Sequence, residues 1–483
     1  MSSTLYPTTS TRAAYGRFGL LCFGVWLHSA DTLVTATIAP SIVDELGSVA
    51  YINWTITLYE VGAIIAGAAV AAVCIRFGIK RVFVGATILY ALGCAMGALA
   101  PTMSVLVFGR FVQGMGGGML LSLCYIAVEA WFTPQHWGRL FGIVALVWGV
   151  GSLIGPLIGG AFAGGHDAAA SWRGAFWAFG AQAALLCVFA LISFPASTPT
   201  NASQQQWPVM PLLWLSAATL IIAQAGASSS VGFAIAGCAI GGYLLYRAAR
   251  LDGAAPRQDE GVVPLIDRSR TMTRLLPAQL LDPHHPIGAG LLLVFTLSAA
   301  TTGFWAYGPL LLKILFGTRP IVTGYILAGE AVAWSVATLA VSKATPADDR
   351  WIIRTGTVGV ALGSAGFALA VPLGTFVGMI VCGLMQGAGF GLCWPAIVQR
   401  IVRAADASEQ SLAAASPSTI QRIGYAVGTA AVGIAANLSG LADGVSTHTA
   451  KTAGFWVFAA FIPVLLVGLK YAWAFTAPSR TNQ

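Results

Sequence analysis

Apolar residues run through this chain in long blocks divided by short polar stretches, not in the narrow stripes of a soluble helix. A helix that crosses a bilayer needs about 20 apolar residues. Fourteen blocks meet that length, near 17–43, 51–75, 81–101, 103–132, 137–164, 171–194, 209–226, 230–248, 287–315, 320–342, 351–371, 375–402, 411–438 and 452–475. The two between 209 and 248 are joined only by "GASSS" and predict a tight helical hairpin. The polar segment 249–286, with "RLDGAAPRQDEG" and "DRSRTMTR", reads as a flexible linker. One block, "VWGVGSLIGPLIGG" (147–160), is rich in glycine and contains a proline. Glycine costs about 1 kcal/mol and proline about 3 inside a helix in water. In lipid the backbone has no alternative partner, so a helix still forms. Gly151, Gly155 and Gly159 then share one face, where a second backbone can approach closely. Pro156 predicts a bend. Together they predict a close-packed helix at the moving seam between two halves.

The blocks also repeat. "FVQGMGGGML" from Phe111 matches "LMQGAGFGLC" from Leu384, so Gln113, Gly114, Gly116 and Gly118 recur as Gln386, Gly387, Gly389 and Gly391. "LYEVGA" against "AGEAVA" sets Glu60 opposite Glu330. The reading is an all-α polytopic membrane protein of fourteen spans: a six-helix bundle in 1–195, two extra transmembrane helices and the linker in 196–286, and a second six-helix bundle in 287–483. The bundles form a parallel pseudo-repeat, a known transporter plan with its site between the halves.

Composition settles the solvent. The chain is 57% hydrophobic and 9% charged, against about 25% charged in soluble domains. Its net charge of +8 follows topology. With both termini cytoplasmic, only Arg173, Lys313, Arg319 and Lys451 fall outside and Arg110 and Arg422 within spans. That is the positive-inside distribution, so no nucleic-acid partner is needed. The first sixteen residues are polar, and no cleavable signal is expected. Eight cysteines lie in apolar runs without CxxC spacing, and six histidines show no ligand pattern, so no metal is expected.

Five stretches in register resemble the major facilitator superfamily and, within it, the fourteen-span drug:proton antiporters. "DTLVTATIAP" (31–40) is similar to the first-span motif, and "GRFVQGMGGG" (109–118) to the fourth-span motif. The resemblance implies proton coupling through Asp31 and Arg110. The glycine-rich block resembles the fifth-span antiporter motif through Gly151, Gly155, Pro156, Gly159 and Gly160, which implies export. "SWRGAFW" (171–177) and "QRIGYAVG" (421–428) resemble the starts of spans six and thirteen. The loop motif "AVCIRFGIKR" (72–81) keeps Arg76, Gly78, Lys80 and Arg81 but carries Ile75 where the family has Asp. In the implied cytoplasmic gate, Glu129 replaces that carboxylate by pairing with Arg76, Arg81 or Arg139; the alternative is that Glu129 is simply interfacial.

Ionisable groups inside a membrane cost roughly 2.5–3.5 kcal/mol even on lenient scales, so each asks for a reason. Asp31 reads as a carboxylate that loads and releases the coupled proton; the alternative is a permanently protonated group tying two helices together. Arg110 either helps discharge that carboxylate or forms a static ion pair. His28, three residues before Asp31, reads as a packing residue or a participant. Glu60 and Glu330 either recognise a cationic substrate or bond across the interface between halves. Trp305 and Tyr307 suit flat or cationic compounds and equally suit anchoring at the bilayer boundary.

The expected function is proton-coupled secondary active export of amphipathic small molecules (drugs, dyes or secondary metabolites) by alternating access. The expected setting is the inner membrane as a monomer, with protons as coupling ion and no cofactor. The alternatives are an importer or exchanger of a specific metabolite, or a non-transporting sensor. An enzyme is not expected, since the chain has no HExxH, no P-loop and no plausible Ser/His/Asp set.

Overall fold

The computed structural model describes residues 11–46, 52–163, 171–195, 209–226, 228, 230–253, 275–318, 320–406, 409–440 and 446–477. These residues form helices and no strands: α1 (Thr11–Leu46), α2 (Ile52–Ala98), α3 (Met103–Trp131), α4 (Pro134–Ala163), α5 (Trp172–Ser193), α6 (Val209–Gly226), α7 (Val231–Gly253), α8 (Pro286–Phe316), α9 (Pro320–Ala340), α10 (Asp349–Leu373), α11 (Phe376–Ala404), α12 (Gln410–Leu438), α13 (Thr447–Ala459) and α14 (Ile462–Phe475).

Among the described residues, eleven helical stretches are long and apolar enough to cross a bilayer, where the hydrophobic blocks predict fourteen. The difference has physical causes. The stretch Trp54–Ala98 holds two predicted blocks in one helix. They divide at Gly78, whose φ of 77° and ψ of 156° break the helix at the loop motif and are open to glycine alone without strain. The apolar part of α6, Met210–Ile222, is short. α12 is diluted by Ser, Gln and Arg in "QSLAAASPSTIQR". The last block is one long stretch, Thr447–Phe475, interrupted where Pro463 opens α14.

Glycines set how close the helices come. A Cβ on Gly114 or Gly118 would lie 2.0 or 2.2 Å from the carbonyl oxygens of Tyr59 and Ala63 on α2. In the second half, a Cβ on Gly387 or Gly391 would lie 2.1 Å from those of Glu330 and Trp334 on α9. The repeat read from sequence is therefore a repeat of backbone contacts.

The glycine face of α4 packs elsewhere than predicted. Gly151, Gly155 and Gly159 face Ser29, Leu33 and Thr37 of α1, inside the same half. Gly160 has open space around it, and Pro156 lies inside a helix that continues on both sides. The seam between halves uses other positions on α4: Gly142 and Gly149 meet Leu339 and Ser335 of α9, and Gly138 meets Ser342 in the turn just after it. Four-residue spacing reports close packing but does not name the partner. A Cβ on Gly155 would sit 2.8 Å from Leu33 Cβ, so Gly155→Leu should destabilise by about 1–3 kcal/mol. It should displace α1, with transport lost from protein that still inserts. Full activity at an unchanged melting temperature would refute this.

At the far end of α1, Glu45 accepts from Trp172 Nε1 (2.6 Å) and from Arg173 (2.9 Å), while Arg173 also donates to the Ala98 carbonyl at 2.9 Å. This gives the "SWRGAFW" motif a structural task, pinning α5 to the ends of α1 and α2. The Arg173 hydrogen bond holds the Glu45 carboxyl below its ordinary range. Its contribution is therefore present above about pH 4.3 and lost as pH falls through the lower folded value. Both groups are partly exposed, so the ion pair is worth at most about 1 kcal/mol. The melting-temperature gap between parent and Arg173→Gln should be constant at neutral pH and shrink below about pH 4; a gap that widens on acidification would refute the pairing.

Candidate functional site

Asp31 on α1 and Arg110 on α3 are both buried and form an ion pair of 2.6 Å. The α1–α4 glycine packing and the α2–α3 glycine contacts hold these four helices of the first half close together around the pair. Arg110 Nη1 also donates to Gln113 Oε1 at 2.7 Å, and its Nε donates to the Thr55 carbonyl at 3.1 Å. Gln113 Nε2 in turn donates to the second Asp31 oxygen at 3.1 Å. Both carboxylate oxygens are thus satisfied, which a buried charge requires.

The network does not end there. The Tyr59 ring lies 4.2 Å from the Arg110 guanidinium carbon, within cation–π range. The Tyr59 hydroxyl is 2.5 Å from His28 Nδ1, and the other ring nitrogen of His28 contacts Arg422 on α12. Arg422 also pairs with Glu60 on α2. Arginine only donates, so Nε2 of His28 accepts and the ring proton is assigned to Nδ1, donated to Tyr59. A continuous polar ladder therefore runs from Asp31 through Arg110, Tyr59 and His28 to Arg422 and Glu60. Its last arginine comes from the other half of the chain.

Around Glu330 the surroundings differ. Glu330 is buried and accepts from Gln386 Nε2 at 2.9 Å. Gln386 also donates to the Thr301 carbonyl (3.1 Å) and accepts from Ser364 (2.9 Å). Among the described residues Glu330 has no ion pair, and the Trp305 indole lies beside its carboxyl. Trp305 itself is 39% exposed, which leaves one face open. Tyr307 is half-buried against the apolar core of the C-terminal helices. The register places Glu330 one residue away from the expected match. Gly114 meets Tyr59 as Gly387 meets Glu330, so Tyr59 is the spatial counterpart of Glu330, and Glu60 is not.

The expected gate residues cluster at one end. Arg76 lies over the Phe77 ring at 5.7 Å, and Arg76 and Glu129 each have interaction partners. Lys80 donates to the Leu191 and Phe194 carbonyls, both at 2.8 Å, which caps the end of α5 within the same half. Arg81 and Arg139 are exposed. Toward that end the halves are joined by Ser335 Oγ donating to the Ala145 carbonyl (2.7 Å), by Trp394 Nε1 donating to the Tyr125 hydroxyl (3.3 Å), and by Ser122 with Ser418 (3.4 Å).

Sequence reasoning marked Asp31, Arg110, Glu60 and Glu330 but missed Tyr59 altogether and left Arg422 as an unassigned charge. The available signal was charge balance: an arginine in a predicted span needs an acceptor, and Glu60 was without a cation.

The Major Facilitator Superfamily sequence profile matches residues 21–429. A probable multidrug-efflux transporter of Mycobacterium tuberculosis is 28% identical over 460 residues, covering 90% of this chain and 92% of the relative. Multidrug resistance protein 3 of Bacillus subtilis is 33% identical over 156 residues, covering 32% of this chain and 30% of the relative. The fold is similar to that of a human organic anion transporter, with TM-score 0.68 at 11% identity over 96% of this chain and 100% of the other. It is also similar to a proton:xylose symporter, with TM-score 0.66 at 15% identity over 97% of each. With the profile spanning most of the helices described above, the chain belongs to the Major Facilitator Superfamily, whose members are membrane transporters and not enzymes.

Proposed function

We propose that this chain exports amphipathic small molecules in exchange for protons by alternating access. The observation that carries the reading is the buried Asp31–Arg110 pair and its connection to Arg422 of the other half. A carboxylate so placed is an exchangeable charge. When it is protonated, Arg110 loses its counter-ion, and the ladder that joins the halves must redistribute its hydrogen bonds. Glu330, without a cation among the described residues and beside an open indole face, suits a lipophilic cation as cargo. The naming of the mycobacterial relative as a probable multidrug-efflux transporter supports the same class.

In this reading the chain crosses a cell (inner) membrane fourteen times as a monomer, with both termini cytoplasmic. The break at Gly78 divides α2 into two crossings, and α6 and α12 add one each to the eleven stretches. The bundles are 1–195 and 287–483, separated by the α6–α7 hairpin and linker. The inter-half contacts of α4, α9, α11 and α12 then close the cytoplasmic side. The fifth-span motif that resembles antiporters sets the direction as export, its glycines shaping α1 around Asp31. Protons are the coupling species, with no cofactor.

Purified protein in liposomes tests this with tetraphenylphosphonium. An acid-inside gradient should drive its accumulation in vesicles, at least tenfold above protein-free controls, and nigericin should abolish it. Accumulation driven by the opposite gradient would make the protein a symporter and overturn the proposal. So would a transport rate for lipophilic cations, neutral antibiotics and chelators that ignores the gradient.

A further inference from the structure

The α6–α7 hairpin carries features that the ladder does not use. Gly237 and Gly241 of α7 make its seam: a Cβ there would lie 2.7 Å from the Ala225 Cβ and 2.4 Å from the Ile222 side chain. Gly242 points elsewhere, into open space. That space is a groove of about 330 Å³ between the hairpin, α8 and α12, lined almost wholly by apolar side chains such as Leu215, Cys238, Leu276, Leu291, Phe295 and Ile423. The volume lies within the range of small-molecule sites. Along α7 the lining runs from Cys238 to Ala249, about 16 Å at 1.5 Å per residue. Half the hydrocarbon core of a bilayer is about 15 Å. The groove is one leaflet deep.

Its mouth is basic. The segment "YLLYRAAR" (243–250) places two arginines one turn beyond two tyrosines. Arg247 Nη1 donates to the Tyr243 hydroxyl (3.2 Å), and Arg250 Nε donates to the Tyr246 hydroxyl (2.8 Å). Tyr246 itself lines the groove. Each arginine is thus held at the groove end by one nitrogen and keeps further donors for a ligand. The Trp214 ring lies 5.8 Å from the Arg247 guanidinium carbon. Its buried indole N–H has no acceptor among the described residues, and a buried donor normally has one.

We propose that this groove binds one anionic phospholipid, its acyl chain along the Cys238–Ala249 face and its phosphate on Arg247 and Arg250. Phosphate suits the guanidinium fork, and basic sites between transmembrane helices suit anionic headgroups. Under the orientation proposed above, the lipid comes from the cytoplasmic leaflet. The site gives the hairpin a function of its own: it holds a lipid against α12, the helix that carries Arg422.

Native mass spectrometry of the full-length protein with equal phosphatidylglycerol and phosphatidylcholine tests this. The parent should retain one phosphatidylglycerol per chain with about tenfold or greater preference, as two surface arginines imply. Arg247→Ala with Arg250→Ala should bring the preference close to one. Gly242→Phe fills the groove from a position with free space and should remove the retained lipid of either kind. If that variant fails to run as a monodisperse species, the arginine pair decides alone. Equal retention of the two lipids by the parent would overturn the proposal, as would a preference that survives loss of both arginines. Displacement of the lipid by tetraphenylphosphonium, with the cation retained by the parent and lost in Gly242→Phe, would make the groove a cargo port and overturn it too.

Discussion

Asp31→Asn should leave a protein that folds, inserts and binds tetraphenylphosphonium, but no longer accumulates it against a gradient. The amide nearly keeps the shape of the carboxyl, and its one oxygen can still accept from Arg110, whose donor lies 2.6 Å from an Asp31 oxygen, while its NH2 replaces the oxygen that accepts from Gln113. It cannot exchange a proton. Uphill transport should fall to the protein-free background, and proton release from detergent-solubilised protein on adding the cation should vanish. Changes at Arg110 should act differently. Arg110→Ala strands the Asp31 charge in the bundle, and removing one partner of a buried pair costs about 3–5 kcal/mol, so a fall in melting temperature should accompany lost transport. Arg110→Lys keeps a charge but loses the fork that reaches Thr55, Asp31 and Gln113 together, and should lie between. Glu330→Gln, beside Trp305, should instead change selectivity, with cations suffering before neutral compounds. If Asp31→Asn releases protons like the parent while Glu60→Gln or Glu330→Gln does not, the coupling assignment is inverted.

Much of this site was legible because charge in a membrane is expensive. Asp31 and Arg110 stood out within apolar blocks, and the structure pairs them. What a linear pattern does not carry is the rotation of one helix against another. Glu60 and Glu330 matched as letters, yet the glycine contacts align Tyr59 with Glu330. A one-residue slip turns a helix by about 100°, since a turn holds 3.6 residues. That difference puts Glu60 against Arg422 and leaves Glu330 with Gln386. The same gap explains the glycine face of α4. Spacing by four marks a smooth surface, but α1 and α9 both use smooth surfaces of this helix at different angles. His28 was indistinguishable from a packing residue, because its role depends on two partners, Tyr59 and Arg422, far away in sequence. The hydrophobic blocks marked α6 and α12 as spans, yet both fall outside the eleven stretches, because the apolar part of α6 is short and α12 is diluted by polar residues.

Arg422→Ala should weaken the hold between the two halves, and the structure supplies a direct way to read it. Arg422 is the member of the ladder contributed by α12, and it contacts His28 and Glu60 of the first half. Removing it leaves inter-half contacts such as Ser335 with Ala145, Trp394 with Tyr125 and Ser122 with Ser418 to keep the seam closed. A Cβ on Gly142 would lie 3.6 Å from the Ser342 Cβ, inside the spacing of about 3.5–4.5 Å that a disulfide needs. Gly142→Cys with Ser342→Cys, in a background without the eight native cysteines, should therefore cross-link rapidly under mild oxidation, and transport should stop until the bond is reduced. Adding Arg422→Ala should slow cross-linking several-fold, because buried contacting groups couple by about 0.5–3 kcal/mol. Glu60→Gln should slow it less, since Glu60 is about one-third exposed (34%) and Arg422 keeps His28. The two changes together should resemble Arg422→Ala alone, as partners in one interaction do. Cross-linking that is unchanged by Arg422→Ala would show that the seam of α4 and α9 closes independently of the ladder. The Asp31–Arg110 pair and the α4–α9 seam would then have to communicate through α1 and its glycine contacts with α4.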